Sequence, residues 1–486
     1  MNELIVASLE VSTVTAKCIL FSLQEGVIAE ASKRYGPEVA DGPSQDPHGV
    51  LACALDVLRE VVLVANQKNL TIEAVGLVGI WHSLLLLDDE RRALGKIRTW
   101  VDLAGADHAM ALRQDQGLVH SVYQKTGCML HAMYPAWKWH YLKQSAPQVT
   151  GETTYLSSQT EFVFESLTGQ AAVSRTLASG TGFLNIHALD WDQDLLEMMG
   201  LSSDQFSQLV EAFHTAPMKS EMAQLVGLPS GIPVTVGSAD GAMNQLAVGG
   251  LGTEVMSMSV GTSGALRVAH LEPRIPDEPS SWCYYLLEGR RLAGAAINNG
   301  TNCVDWFLIR HGNRLNSDTY DRYSNAVGDV DGLGAPMFMP FLYGERCPGW
   351  AEHRTGGFVD LKASHGEYDL YYSVLEGILF NMRQCYDILV DVGGIPKEVL
   401  VSGGIVNSSP WMQMAADILQ REVMVTGSTN DSTVGGALVA LEAVGGHEQV
   451  RGYRPPIARR FEPRADGIAI HDSRYARYLE LYRLLG

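Results

Sequence analysis

Two stretches of this chain share one plan. "LEVSTVTAKCIL" (residues 9–20) reads as strand, polar turn, strand: Leu9 and Val11 lead in, Ser12 to Thr15 turn, and Cys18 to Leu20 lead out. "VMSMSVGTSGALRVA" (255–269) repeats the plan around a hydroxyl–glycine turn. Apolar runs on either side of a small polar turn are a hairpin signal. Its recurrence about 250 residues further on argues for two related halves. The length agrees, since 486 residues exceed one ordinary core and suit two domains of about 200 residues. The Gly249-Gly250-Leu251-Gly252 cluster sets the expected boundary, giving domains 1–250 and 251–486.

Between these turns the pattern alternates strands and helices. Residues 4–35 read as two or three hairpin strands, with Gln24-Glu25-Gly26 as a turn. Val50, Ala54, Leu58, Val61 and Ala65 recur at helical spacing within 47–67. "AVGLVGIW" (74–81) is wholly apolar, as in a strand buried on both faces. Further helices are predicted at 106–116, 158–168, 301–311, 368–393 and 409–420, and a strand at 398–401. Small-residue helices follow a strand and turn within 232–250 and occupy 432–446. Tyr475, Tyr478, Leu479, Tyr482 and Leu485 mark a closing helix.

Composition narrows the partners. Hydrophobic residues make up 46% and charged residues 19%, a globular balance. The net charge of −19 repels nucleic acid and anionic membrane, so neither is an expected partner. Any anion must bind in a locally prepared site. Seven scattered cysteines without a C-x-x-C read as reduced thiols. The first residues lack a basic n-region and a long apolar core, and "LLLL" (84–87) is cut off by Asp88-Asp89-Glu90. The expectation is a soluble, cytoplasmic protein.

No common nucleotide or zinc-protease motif occurs: there is no G-x-x-x-x-G-K-[ST], no G-x-G-x-x-G opening a helix, and no H-E-x-x-H. The paired turns offer a different phosphate site, in which backbone N–H groups and hydroxyls converge on one anion. "VGTSG" (260–264) suits it because Gly261 and Gly264 allow close approach. In the first turn Thr13 supplies a hydroxyl, with Lys17 just beyond it and Glu10 before it. "GSADGAMN" (237–244) places Asp240 where a strand gives way to a helix among small residues. That position suits a general base or, equally, a helix cap. Trp81-His82 and Trp100-Asp102 follow apolar stretches and resemble a sugar site, where rings stack and polar tips bind hydroxyls. "INNGTN" (297–302) and "SGGIVNSS" (402–409) are small polar turns entering helices, suited to phosphate or adenine contacts or to capping. Glu345-Arg346 in "PFLYGERCPGW" (340–350) reads as structural or hinge-forming.

As a set the motifs resemble the FGGY carbohydrate kinases, and within them most the gluconate kinases. The resemblance is carried by "WHSLLLLDD", "TWVD", "LHAMYPAWKWHYLK", "SGTGFLNIHALDWD", "GSADGAMNQLAVGG", "SVGTSGALR", "INNGTN", "FLYGERCPGW", "VLEGILFNM" and "SGGIVNSSPWMQMAADIL", in the family's order across nearly the whole chain. It implies an α/β fold of two actin-like, ribonuclease H-like domains, each a mixed sheet flanked by helices, with ATP and Mg²⁺ in the cleft between them. It implies phosphoryl transfer to a sugar or sugar acid, gluconate first, and by family habit a homodimer. Asp240 matches the catalytic base. Trp81, His82, Trp100, Asp102, Tyr134 and Asp240 fall where the family binds substrate. Thr13, Lys17, Gly261, Thr262, Gly300, Gly403, Gly404 and Asn407 fall where it binds nucleotide, and Glu10 where it holds metal.

The chain also departs from that pattern. Glu10 stands for an aspartate, Ser12 for a glycine, Val14 for a hydroxyl residue, and Ala104 for an arginine after the aspartate of "TWVD". Mg²⁺ demands near-ideal geometry, so the longer Glu10 matters. A xylulose- or polyol-type kinase is the alternative substrate reading. A catalytically impaired sugar- or nucleotide-binding protein is the alternative class.

Overall fold

A computed structural model describes residues 3–427 and 431–485, apart from the side chains of Glu448 and Gln449. Each half holds a seven-stranded mixed sheet. Numbering only the strands common to both, the first half has β1 (Val6–Val11), β2 (Thr15–Ser22), β3 (Gly26–Arg34), β4 (Val75–Gly79) and β5 (Pro233–Thr235). The second has β6 (Val255–Val260), β7 (Gly264–His270), β8 (Arg291–Ile297), β9 (Glu398–Ser402) and β10 (Val423–Thr426). The spatial orders are β3-β2-β1-β4-β5 and β8-β7-β6-β9-β10. In each, the first three strands pair antiparallel and the last two join the first in parallel. The two hairpins that opened the sequence argument are β1–β2 and β6–β7, at equivalent places in equivalent sheets. This is the two-domain, actin-like architecture.

Strand alternation decides what each face meets. On β1, Ala7, Leu9 and Val11 pack toward α1 (Pro47–Gln67). Ser8 and Glu10 alternate with them and so occupy the opposite face. That face is covered by a helix from the other half of the chain, α4 (Asp431–Ala443), which packs on β1, β4 and on α2 (Asp240–Ala247). The crossing is close because the helices are built from small residues. A Cβ on Gly435 would lie 2.2 Å from the Met243 carbonyl oxygen, and one on Gly436 would lie 2.3 Å from Val78 Cγ2. One apolar core therefore runs from the first sheet through this crossing into the second half, where α3 (Glu367–Gly393) packs along β7 and β8.

Two local expectations change. The helix predicted at 106–116 is two helices, Ala106–Leu112 and Gln116–Thr126, because Asp115 accepts the Leu118 N–H and starts a new one. The strands Trp282–Tyr285 and Arg291–Ile297 were not foreseen. No helix among the described residues is long and apolar enough to cross a membrane. All seven cysteines are free and buried.

Candidate active site

The ends of the parallel strands gather the chemistry, as open α/β sheets generally arrange it. Beyond β4 come Trp81 and His82. Ser238 and Ala239 pair alongside β4, and Asp240 follows as the first residue of α2. Trp81, His82 and Asp240 line a cavity of about 140 Å³, with Trp100 and Met133 from the first half and Arg267, Trp282 and Tyr284 from the second.

Asp240 does not cap its helix in the usual way. The N-cap is Ala239, and among the described residues the carboxylate accepts only the adjacent Gly241 N–H, at 2.7 Å. Burial raises its pKa to about 6, and the charge of Glu10 adds to the rise, against the Gly241 bond and Arg267.

His82 adopts a left-handed backbone, φ 63°. Its Nδ1–H donates to the Gly180 carbonyl at 2.6 Å, which leaves Nε2 with a free lone pair. Burial and then Arg346 hold its pKa well below the ordinary histidine value, so the ring is neutral. The Trp81 indole donates to the Thr176 carbonyl at 2.8 Å and lies 4.9 Å from the Tyr284 ring. A Cβ on Gly241 would come within 2.4 Å of Trp81, so this glycine makes room for the ring.

Two residues expected at the substrate do not line this cavity. Asp102 accepts from Arg98 at 2.8 Å and from the Ala104 N–H at 3.1 Å. The arginine four residues earlier therefore takes its charge. Tyr134 is fully buried behind His82, and its hydroxyl meets that of Tyr284 at 2.8 Å. Arg346, read as structural or hinge-forming, lines the cavity instead. Its neighbour Glu345 is the structural member, held by Arg354 and Tyr482.

The first turn is closed on itself. Ser12 Oγ accepts the Thr15 and Val14 N–H groups at 3.1 and 3.3 Å. Thr13 Oγ1 accepts the Trp100 indole N–H at 3.0 Å, tying the turn to the cavity wall. The carboxamide of Gln45 donates to the Ser12 and Thr13 carbonyls, and Gln159 donates to Ser12 and to Gln45. Glu10 reaches across to α4, where Ser432 and Thr433 hydroxyls donate to its two oxygens at 2.9 and 2.8 Å. Those hydroxyls hold both oxygens that were assigned to metal. Lys17 faces Glu10 in the β1–β2 register.

The second turn is buttressed from outside. Gly300 donates to the Thr262 carbonyl at 3.1 Å, and a Cβ on Gly300 would sit 2.3 Å from the Gly261 oxygen. Gly403, at φ 88°, packs equally close to Val260. These two glycines shape the turn. Gly404 and Asn407 line a separate slot of about 340 Å³ walled by Tyr320, Tyr371 and Trp411. Thr13 and Thr262 face one another across a cleft of about 650 Å³ between the halves, which shares Trp100, Met133, Ser263 and Arg346 with the Asp240 cavity. At its rim Arg113 and His131 of the first half bind Glu352 of the second.

Gln45, Gln159, Ser432, Thr433, Arg267 and Arg346 were not singled out as site residues. Only Arg267 carried a local signal, since it lies on the strand leaving the second turn.

Residues 5–247 match the N-terminal domain of the FGGY family of carbohydrate kinases, and residues 256–444 match its C-terminal domain. The gluconokinase of Bacillus licheniformis is 27% identical over 452 residues, covering 90% of this chain and 87% of its own. The xylulose kinase of Bacillus subtilis (strain 168) is 23% identical over 488 residues, covering 98% and 96%. Among solved structures, a gluconate kinase from Lactobacillus acidophilus superposes with a TM-score of 0.93 at 24% identity, covering 100% of this chain and 98% of that one. That last likeness is one of fold.

Proposed function

The chain belongs to the FGGY family of carbohydrate kinases, and on that premise we propose that it transfers the γ-phosphoryl group of ATP to a hydroxyl of a sugar acid, gluconate first, with Asp240 as general base. The observation that carries the reading is the Asp240 carboxylate itself, which faces the cavity with one hydrogen bond and a pKa near 6. At neutral pH it is mostly ionised, yet basic enough to accept a proton as the acceptor oxygen attacks phosphorus.

The neighbouring groups divide the remaining work. The free Nε2 of His82 accepts a second hydroxyl of the acceptor, and Gly180 fixes the tautomer that makes this possible. Trp81 and Trp282 offer ring faces to the carbon chain, and Trp100 closes the wall toward the first turn. Asp102 and Tyr134 act one step back, the first by holding Arg98 and the second by supporting the His82 ring. Thr13, Gly261 and Thr262 meet the phosphates, with Lys17 behind them. The slot at Gly404 and Asn407 takes the base, against its aromatic walls. The donor set suits Mg²⁺ through Glu10, whose two oxygens each accept one hydroxyl and keep a further lone pair for a cation or its water. Glu10 would hold the ion jointly with the phosphates, and the ion would neutralise phosphate charge. Residues 1–250 and 251–486 are taken as the two domains that enclose these ligands.

A ketopentose or polyol acceptor is the second reading, favoured by the uncharged Ala104 where the resemblance calls for an arginine. A screen of ATP consumption over aldonates, ketopentoses, polyols and hexoses decides between them. We expect turnover on gluconate that vanishes in Asp240→Asn while acceptor binding persists. Turnover that survives in Asp240→Asn would remove the base from the mechanism.

A further inference from the structure

The cavity beside Asp240 holds two guanidinium groups against one carboxylate, Asp240, which feels the charge of Arg267 but forms an ion pair with neither among the described residues. Arg267 arrives on β7 and Arg346 on the loop following Pro340. The Nε atom of each is buried without an acceptor, and so is the indole nitrogen of Trp282 on the same wall. Arg267 Nη1 reaches only the Ser259 hydroxyl, at 3.3 Å. Arg346 lies 5.8 Å over the Trp350 ring. Neither forms an ion pair among the described residues, although the chain carries 55 acidic side chains against 36 basic ones. Burial lowers the Arg267 pKa to about 10, with Asp240 opposing the fall and Arg346 adding to it. Two partly buried like charges, with one unpaired carboxylate beside them, leave a place for a second anion.

Resting on the kinase reading above, we propose that Arg267 and Arg346 together bind the carboxylate of a sugar-acid acceptor and so set the enzyme's preference for aldonates over neutral sugars. Planar guanidinium forks match a carboxylate edge with two parallel hydrogen bonds. The cavity walls favour this over a nucleotide phosphate. Arg267 shares its cavity with His82, Trp81 and Trp282 and lines neither the cleft at Thr13 and Thr262 nor the slot at Gly404, whereas Arg346 lines both the cavity and that cleft. The role left open by Ala104 is thereby filled from the other half of the chain.

The test compares gluconate with sorbitol, which has the same carbon chain but no carboxylate, using the full-length protein. The wild type should prefer gluconate. Arg267→Met and Arg346→Met should each lower the gluconate-to-sorbitol ratio of kcat/KM by about a hundredfold. Arg267→Lys, which keeps the charge and loses the fork, should fall between and guards against a misfolded methionine variant. Calorimetry without nucleotide should show gluconate binding weakened at least tenfold in the same variants. An unchanged ratio, or an equal fall with both acceptors, overturns the assignment. So does a wild type that binds gluconate no better than sorbitol. If the wild type consumes ATP on no acceptor, the kinase reading fails, and the calorimetric comparison still decides the role of the arginines.

Discussion

At Asp240 one carboxylate meets two opposed demands. The proposed function asks for an ionised base facing a cavity, whereas folding favours a neutral group there, which is why burial lifts its pKa to about 6. Two results follow. The kcat/KM profile should rise through pH 6 and level off above it, and Asp240→Asn should lower turnover by about 10⁴-fold, to below detection. The stability sign is the reverse. A folded-state pKa above the ordinary carboxylate value contributes stability at low pH that is lost as pH rises through 6. Asp240→Asn should therefore melt higher than the wild type at pH 8, by an amount on the order of 2 kcal/mol, and the gain should shrink as pH falls toward 4. Thermal melts across that range check it. Ser12 makes a second case. Its hydroxyl consumes two turn N–H groups that a phosphate would otherwise receive. Ser12→Gly should lower the KM for ATP while reducing stability by about 1 kcal/mol. A raised KM would mean the serine helps the nucleotide. That Asp240 stands where a strand gives way to a helix was legible because small residues surround it in sequence. Asp102 turns to Arg98, and nothing in "TWVD" says where its carboxylate points, although Arg98 four residues earlier was an available clue.

Elements bring together what the sequence keeps apart. The small-residue runs at 232–250 and 432–446 were visible as helices, but not that α2 and α4 would cross each other. Only the folded chain shows why glycine is needed at that crossing. Glu10 is bound by Ser432 and Thr433 for the same reason, because period-two alternation points it at the face α4 covers. Gly435→Ala should push α4 away from Met243, lower stability by about 1–3 kcal/mol and reduce turnover through the displaced base. Gly252→Ala, where an added Cβ meets nothing within 4 Å, is the control and should leave both unchanged. Equal behaviour of the two variants would separate the crossing from catalysis.

The whole molecule is two copies of one topology facing each other, and two similar hairpin turns were enough to suggest it. The contacts across the cleft were not readable, since they join segments more than 200 residues apart. The adjacent pair Glu345-Arg346 looked self-sufficient, yet Glu345 turns inward to Arg354 while Arg346 turns to the cavity. The bridge from Arg113 and His131 to Glu352 holds the halves at the cleft rim. Glu352→Ala strands a largely buried arginine, so it should destabilise the protein by about 3 kcal/mol and raise the KM for the acceptor. Melting curves and acceptor titrations read both effects, and an unchanged KM would confine the bridge to stability. The central claim concerns phosphoryl transfer itself, and ³¹P NMR of the protein with ATP, Mg²⁺ and gluconate tests it most directly. The account predicts a new phosphomonoester resonance growing with ADP, absent when Asp240→Asn replaces the wild type. ADP appearing without a phosphomonoester, or the same resonance from Asp240→Asn, would contradict it.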